Sequence, residues 1–398
     1  MNRDTNIVMG LDIGSSKICA AVCEIDGAGE LHVRGIGTSI SAGLDKGRIC
    51  DPEELQRAIR RAISKAEQEA RVSSSYVIAS IPLYQVQFVQ NLGIFLSKEE
   101  SGQISLSDQK ECLRRSKNIV KASDQTMVHV MPLYYKVDGV KVKNPLGVFG
   151  KSLEVQTQIV LAHSDTLLSL TNCLKQMNLH ISGLVYDGLA SAEILLNQSN
   201  RKKGCVFVDM GGRFTKICFF KDNCLNNAFI SPIGSDAITH DIAHCLAVSI
   251  PEAERLKIIH SDVFLDRVDA QETIEITTKE EGRKSIKKLL LCQIVEARLV
   301  EIFESILPYF PSSDARCPVV LGGGGALLNG LALYLQQKHP FCIEEKLPEQ
   351  LKSIVESTSY ASAVGLVCYG LKTNALSYQA SFLGGYKRRM KQWIKSTF

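Results

Sequence analysis

"VFVDMGGRFTKICFF", residues 206–220, is an apolar run that ends at Asp209, breaks at Gly211-Gly212 and resumes at Ile217. The pattern is strand, glycine turn, strand. An ordinary hairpin meets it, and so does a phosphate-binding loop. Glycines let backbone N–H groups approach phosphate oxygens without a Cβ clash, and an Asp closing the first strand can hold a hydrated Mg2+. A similar stretch opens the chain: "GLDIGSSKIC", residues 10–19, set beside "FVDMGGRFTKIC", residues 207–218, shares a strand, an Asp, a glycine turn and Lys-Ile-Cys. The second copy is two residues longer between Asp and Lys, and the repeat points to a duplicated fold. A third glycine run, "VVLGGGGALLNG", residues 319–330, reads as strand, loop and helix, the helix covering 326–338 with Leu327, Leu328, Leu331 and Leu335 at helical spacing. Two Asp-x-Gly hairpins facing across a cleft make a clamp for a nucleoside triphosphate, and the third run lets adenine and ribose lie against the backbone.

At 398 residues the chain is too long for one small core, and a net charge of +4 does not mark a general nucleic-acid binder. The 13 cysteines form no metal-type pairs, which suggests reduced, buried thiols in a cytoplasmic protein. Residues 318–335 approach the length of a membrane span, but four consecutive glycines and Asn329 argue against one. Asp51 and Pro52 are start signals for a helix over 53–70. Residues 84–162 change in texture to a helix within 105–120 and several β-rich runs, as expected of an inserted α+β module. A helix over Asp165–Met177, a strand over 181–188 and a helix over 189–198 lead into the second half.

The end of the chain, "FLGGYKRRMKQWIKSTF", residues 382–398, is amphipathic when wound as a helix. Leu383, Tyr386, Met390, Trp393, Ile394 and Phe398 fall on one side; Arg388, Lys391 and Lys395 fall opposite, with Lys387 and Arg389 flanking, and no acid is present. Such a helix suits the interface of an anionic membrane; docking on the protein's own core, or a calmodulin-type partner, is the alternative. Residues 371–381 read as a linker.

Glycine motifs in this order resemble the actin/Hsp70/sugar-kinase superfamily, and within it the chain resembles the bacterial cell-division FtsA family over nearly its whole length. "GLDIGSSK" and "VFVDMGG" look like its two phosphate loops, "VLGGGGALLNGL" like its adenosine motif, and "SYASAVGLVCYG" like its second connecting helix. "MVHVMPLYYKVDGVKVKNPLGVFG", residues 127–150, is similar to the insert that separates FtsA from actin, MreB and the kinases. The resemblance implies an α/β fold of duplicated, ribonuclease-H-like, actin-like domains with an FtsA-type inserted α+β subdomain and a C-terminal amphipathic helix. It divides the chain into a first core of 1–83 and 163–190, an insert of 84–162, a second core of 191–233 and 306–370, an FtsZ-binding-type subdomain of 234–305, the linker and the membrane-targeting tail at 382–398.

For the site, the resemblance implies ATP held by Asp12, Gly14, Ser15, Ser16 and Lys17, by Asp209, Gly211 and Gly212, and by Gly323, Gly324 and Gly325. Mg2+ would be held through water by Asp12 and Asp209. "AERLK" implies that Glu254 and Lys257 touch ribose and base, although a surface charge pair also explains them. Asp187 stands where several relatives place the acid that polarises water, and it also suits a helix cap. Arg283 and Arg298 are candidate contacts for the acidic C-terminal peptide of FtsZ, with solvated helix charges as the alternative. The second phosphate loop departs from the family: Arg213, Phe214 and Lys216 stand in place of a glycine, a threonine and an acid. Arg213 is strained if its position needs a positive φ, yet a guanidinium there can also bind phosphate. The expectation is an ATP-binding scaffold, at most a slow ATPase. It would polymerise into actin-like filaments and tether FtsZ at the cytoplasmic face of the cell membrane at the division site. A PilM-like assembly protein and a small-molecule kinase are the competing readings.

Overall fold

A computed structural model describes residues 7–27, 30–82, 86–96, 102–279, 282–310, 317–339, 341–344 and 357–373. The leading strands are buried along almost their whole length rather than at alternate positions, which places them centrally in sheets covered on both faces. The first half opens with β1 (Ile7–Ile13), β2 (Lys17–Ile25) and β3 (Leu31–Ile40). A small hairpin of β4 (Leu44–Asp45) and β5 (Arg48–Ile49), helix α1 (Pro52–Ala70) and β6 (Tyr76–Ser80) follow. Asp51 caps α1, its side chain accepting from the Glu54 N–H at 2.9 Å. The insert holds β7 (Gln87–Leu96), α2 (Leu106–Ser116), β8 (Gln125–Val137), β9 (Val140–Val142) and β10 (Ser152–His163). Helix α3 (Ser164–Gln176), β11 (His180–Val185) and α4 (Asp187–Leu195) complete the first half.

The second half runs through α5 (Gln198–Lys203), β12 (Cys205–Met210), β13 (Thr215–Lys221), β14 (Cys224–Ser231), α6 (Ser235–Cys245) and α7 (Ile250–His260). It continues with β15 (Thr273–Thr278), β16 (Gly282–Lys287), α8 (Lys288–Ile306), β17 (Pro318–Gly322), α9 (Leu331–Lys338), β18 (Cys342–Glu344) and α10 (Ala361–Thr373).

Two five-stranded sheets share one topology, β11-β6-β1-β2-β3 and β18-β17-β12-β13-β14, each with an antiparallel leading hairpin and a parallel third strand. The chain is therefore a duplicated, actin-like α/β protein. Register corrects the detail of the repeat. Asp12 faces Cys19 and Asp209 faces Lys216, so both hairpins have turns of equal length, Gly14–Lys17 and Gly211–Phe214. The two Lys-Ile-Cys triplets are out of step by two residues, and their likeness is a coincidence. A two-residue shift preserves the side-chain face, which is why it survives in the pattern.

The insert's four-stranded sheet, β7-β10-β8-β9, packs its own small core around Cys112, Val137, Leu153 and Val155. Between the two large sheets lie α4 and α10, in a core that takes Val8 and Ile78 from one half and Phe207 and Phe220 from the other. The helix expected over 326–338 begins only at Leu331, because Gly330 holds φ +80° and a short 3-10 turn occupies Gly325–Leu327. The helix expected over 189–198 is α4 and ends at Leu195, with Leu196 extended. The linker placed at 371–381 starts late: Leu371, Lys372 and Thr373 finish α10, where Thr373 Oγ1 donates to Tyr369 O and Lys372 pairs with Glu193. Residues 374–398, with the whole amphipathic tail, lie outside the described residues. Cysteines at 50, 245 and 342 are exposed, so burial accounts for only part of the set.

Close approach of α4 and α10 rests on Gly365, where an added Cβ would stand 1.9 Å from Ala190 O. A Gly365→Ala variant is expected to lose about 1–3 kcal/mol of stability through overpacking. Gly27, with nothing within 4 Å of its Cβ position, is the control. Urea unfolding followed by circular dichroism compares them, and equal midpoints for the two variants would contradict this packing.

Candidate functional site

The tips of the two leading hairpins meet across one cleft of about 410 Å3, a size that takes a nucleotide-scale ligand. Asp12, Gly14, Ser15, Ser16 and Lys17 line one side, and Asp209, Gly211 and Gly212 the other. Gly323, Gly324, Gly325, Glu254, Lys257 and Asp187 line it as well. At Gly212 a Cβ would stand 1.7 Å from Ser16 Oγ and 2.6 Å from Asp236 Oδ1, so this closeness requires glycine. Ser16 Oγ donates to Asp236 Oδ2 at 2.5 Å, joining the first hairpin to the start of α6. The backbone N–H groups of Ser235 and Asp236 donate to Gly211 O and Gly212 O and hold the second tip in place. Neither Gly211, Gly212 nor Arg213 has a positive φ, so the strain expected of Arg213 is absent.

Behind the tips lies a buried charge cluster. Lys216 Nζ is 2.7 Å from Asp187 Oδ2 and 2.7 Å from Asp209 Oδ2. Burial alone would lower the lysine's pKa; the two carboxylates outweigh it and hold the ammonium charged well above its usual range. Burial raises Asp187, against the pull of Lys216. One cation cannot satisfy three acids, and the remainder falls on Asp12. Burial and the Asp187 charge push the Asp12 carboxyl up to about 6. Among the described residues, Asp12 Oδ1 and Asp187 Oδ1 are buried without a hydrogen-bond partner.

At the other end of the cleft, Lys257 is buried, with Nζ 2.7 Å from Glu254 Oε2 and donating to Thr239 Oγ1 at 2.8 Å. Glu254 and Lys257 thus form an internal pair that still edges the cleft. Lys17 Nζ donates to Ser359 O at 2.9 Å. Arg213 lies at the cleft's rim and pairs with Asp45, with Nη1 2.9 Å from Oδ1, an exposed ion pair. Asp187 does not cap α4; it is the first residue of the helix, and its Oδ2 accepts from Lys216.

Arg283 is exposed on β16. Arg298 on α8 holds Asp241 through Nε at 2.5 Å and Nη2 at 3.0 Å, and also reaches Glu301. The tail positions from Leu383 to Phe398 lie outside the described residues. Among those described, no helix is long and apolar enough to cross a membrane.

Lys216, Asp236 and Ser191 belong to the site and were not assigned to it from sequence. Lys216 had a signal, since equal four-residue turns oppose it directly to Asp209. Ser191, whose Oγ donates to Asp209 Oδ2 at 3.3 Å, and Asp236 had none, because both arrive from separate helices.

A family model described as cell division protein FtsA matches residues 206–365, and one described as the SHS2 domain inserted in FtsA matches 85–161. A cell division protein FtsA from Borreliella burgdorferi is 30% identical over 376 residues, covering 92% of this chain and 91% of its own. That of Pseudomonas aeruginosa is 27% identical, with 98% of each chain covered. Among solved structures, a PilM-PilN type IV pilus biogenesis complex superposes with a TM-score of 0.63 at 15% identity, covering 91% of this chain and 98% of that one. MreB5 of Spiroplasma citri bound to AMPPNP superposes with a TM-score of 0.53 at 12% identity, covering 95% and 99%. Both share the fold.

Asp12 titrates near pH 6 in the folded chain, above its ordinary 3.8. A raised folded pKa stabilises below the unfolded pKa and is lost as pH rises through the folded one, so ionised Asp12 costs on the order of 3 kcal/mol above pH 6. Asp12→Asn is therefore expected to raise the thermal midpoint most above pH 6, with the gain shrinking toward pH 4. Scanning fluorimetry across this range checks it, and a gain independent of pH would sink the assignment.

Proposed function

Because the chain belongs to the FtsA family of cell-division proteins, we propose that it is a membrane-anchored, actin-like scaffold holding ATP in the cleft between its duplicated halves. Nucleotide occupancy sets self-association into filaments. The tail at 382–398 tethers FtsZ filaments to the cytoplasmic face of the cell membrane at the division site. The observation that carries this reading is convergence: motifs spread from Asp12 to Gly325 line one cleft. An adenine nucleotide analogue occupies the MreB5 neighbour, a protein of the same fold.

Hydrolysis is at most slow. A water-polarising acid works through an available carboxylate oxygen in reach of the water; Asp187 Oδ2 is held by Lys216, which leaves only the buried Oδ1 for that role. Arg298 is already committed to Asp241 and Glu301, so the contact to an acidic FtsZ peptide falls to the exposed hairpin carrying Arg283. The tail's five cations and apolar face, with its single Trp393, suit an anionic lipid surface.

Titration with a fluorescent ATP analogue tests the nucleotide reading. Saturable binding below millimolar concentration is expected, and Gly212→Ala, which forces the hairpin tips apart, is expected to weaken it tenfold or more, about 1.4 kcal/mol. No binding at millimolar nucleotide refutes the reading. Cosedimentation with anionic liposomes tests the anchor: the full chain should pellet and a chain ending at 381 should stay in solution. Equal pelleting of both removes the tail from the mechanism.

A further inference from the structure

In a clamp built from two phosphate hairpins, the strand-end acids gather a divalent cation that neutralises the phosphates. Here the residues do not fit that ion at Asp209. Its Oδ2 and that of Asp187 both face the Lys216 ammonium at 2.7 Å. Mg2+ demands a near-ideal octahedral shell of oxygens or waters, and the amine fills the point between these carboxylates where such a shell would sit. A divalent ion beside a fixed ammonium in a poorly screened site is also repelled. The position of Lys216 is structural rather than adventitious: it is the direct cross-strand partner of Asp209, and its side chain is buried. In the first hairpin the matching position is Cys19, opposite Asp12, so the cation was placed in one half of the duplication only.

We propose that Lys216 is the built-in cation of this cleft and that the chain takes a nucleoside triphosphate without a divalent metal. An ammonium carries three donors. Two face Asp187 and Asp209, and the third serves a phosphate oxygen, as lysine does elsewhere as a point charge. Asp12 Oδ1 and Asp187 Oδ1 are buried carboxylate oxygens in the cluster without a hydrogen-bond partner among the described residues. A metal seated on them instead would make binding metal-dependent, which the experiment detects.

The inference rests on the nucleotide reading above, and the two fail differently. The full-length protein is titrated with a fluorescent ATP analogue in excess EDTA and again in excess Mg2+. The expected dissociation constants agree within about threefold, a difference of roughly 0.65 kcal/mol. Lys216→Asp should bind at least tenfold more weakly in EDTA and recover with Mg2+. Lys216→Met, which keeps length and removes charge, serves if the aspartate variant does not fold by circular dichroism, and it too should lose at least tenfold in EDTA. Wild-type binding that weakens tenfold or more in EDTA overturns the inference while leaving nucleotide binding intact. A folded methionine variant that binds in EDTA as tightly as wild type also overturns it. Absence of binding in both buffers overturns the nucleotide reading, and this inference with it.

Discussion

Lys216 brings its ammonium into the interior, where the loss of hydration costs several kcal/mol per ion unless partners replace the water. The partners are Asp187 and Asp209, each 2.7 Å away and each buried. Removing Lys216 would leave two carboxylates facing each other uncompensated inside the protein. The constraint therefore fixes three elements at once: β13 through Lys216, β12 through Asp209 and the start of α4 through Asp187. It also sets the charge of the cleft. With two acids already sharing one amine, Asp12 is the carboxyl left over, and burial together with the Asp187 charge pushes it upward.

Around this cluster the duplication makes a cleft from ordinary parts. Two sheets of the same strand order aim their leading hairpins at a common space, and α4 and α10 fill the gap between them. Small residues at that contact, Ala190 and Gly365 above all, let the helix backbones approach closely enough to bring the hairpin tips together. Ser16 and Asp236 then close the front of the cleft by a hydrogen bond across the two halves.

The remainder of the chain has its own cores and carries the family's identity. The insert packs around Cys112 and Leu153, separate from the clamp, and its sequence match covers 85–161. The outer face of the second sheet is covered by α6 to α9, whose core includes Ile238, Leu256, Leu299 and Leu335.

Glycine spacing, strand-ending acids and helix caps were legible in the chain because each is a local requirement. The first turn needs Gly14, where a Cβ would stand 2.6 Å from Lys17 O, and Asp51 caps α1 by reaching three residues forward. Those signals determined the duplicated α/β fold, the cleft-lining set and the separate character of the insert. The helix start at Leu331 was hidden, since Gly330 stops the helix through its backbone conformation while the leucine spacing runs on past it. The roles of Lys216, Arg213 and Asp187 were hidden more deeply. As letters, Lys216 belonged to a Lys-Ile-Cys repeat, Arg213 to a phosphate loop and Asp187 to a cap. Strand register put Lys216 opposite Asp209, the folded rim gave Arg213 to Asp45, and α4 delivered Asp187 to the same amine. Charge pairing depends on distances between groups remote in the chain, and only tertiary structure sets those distances.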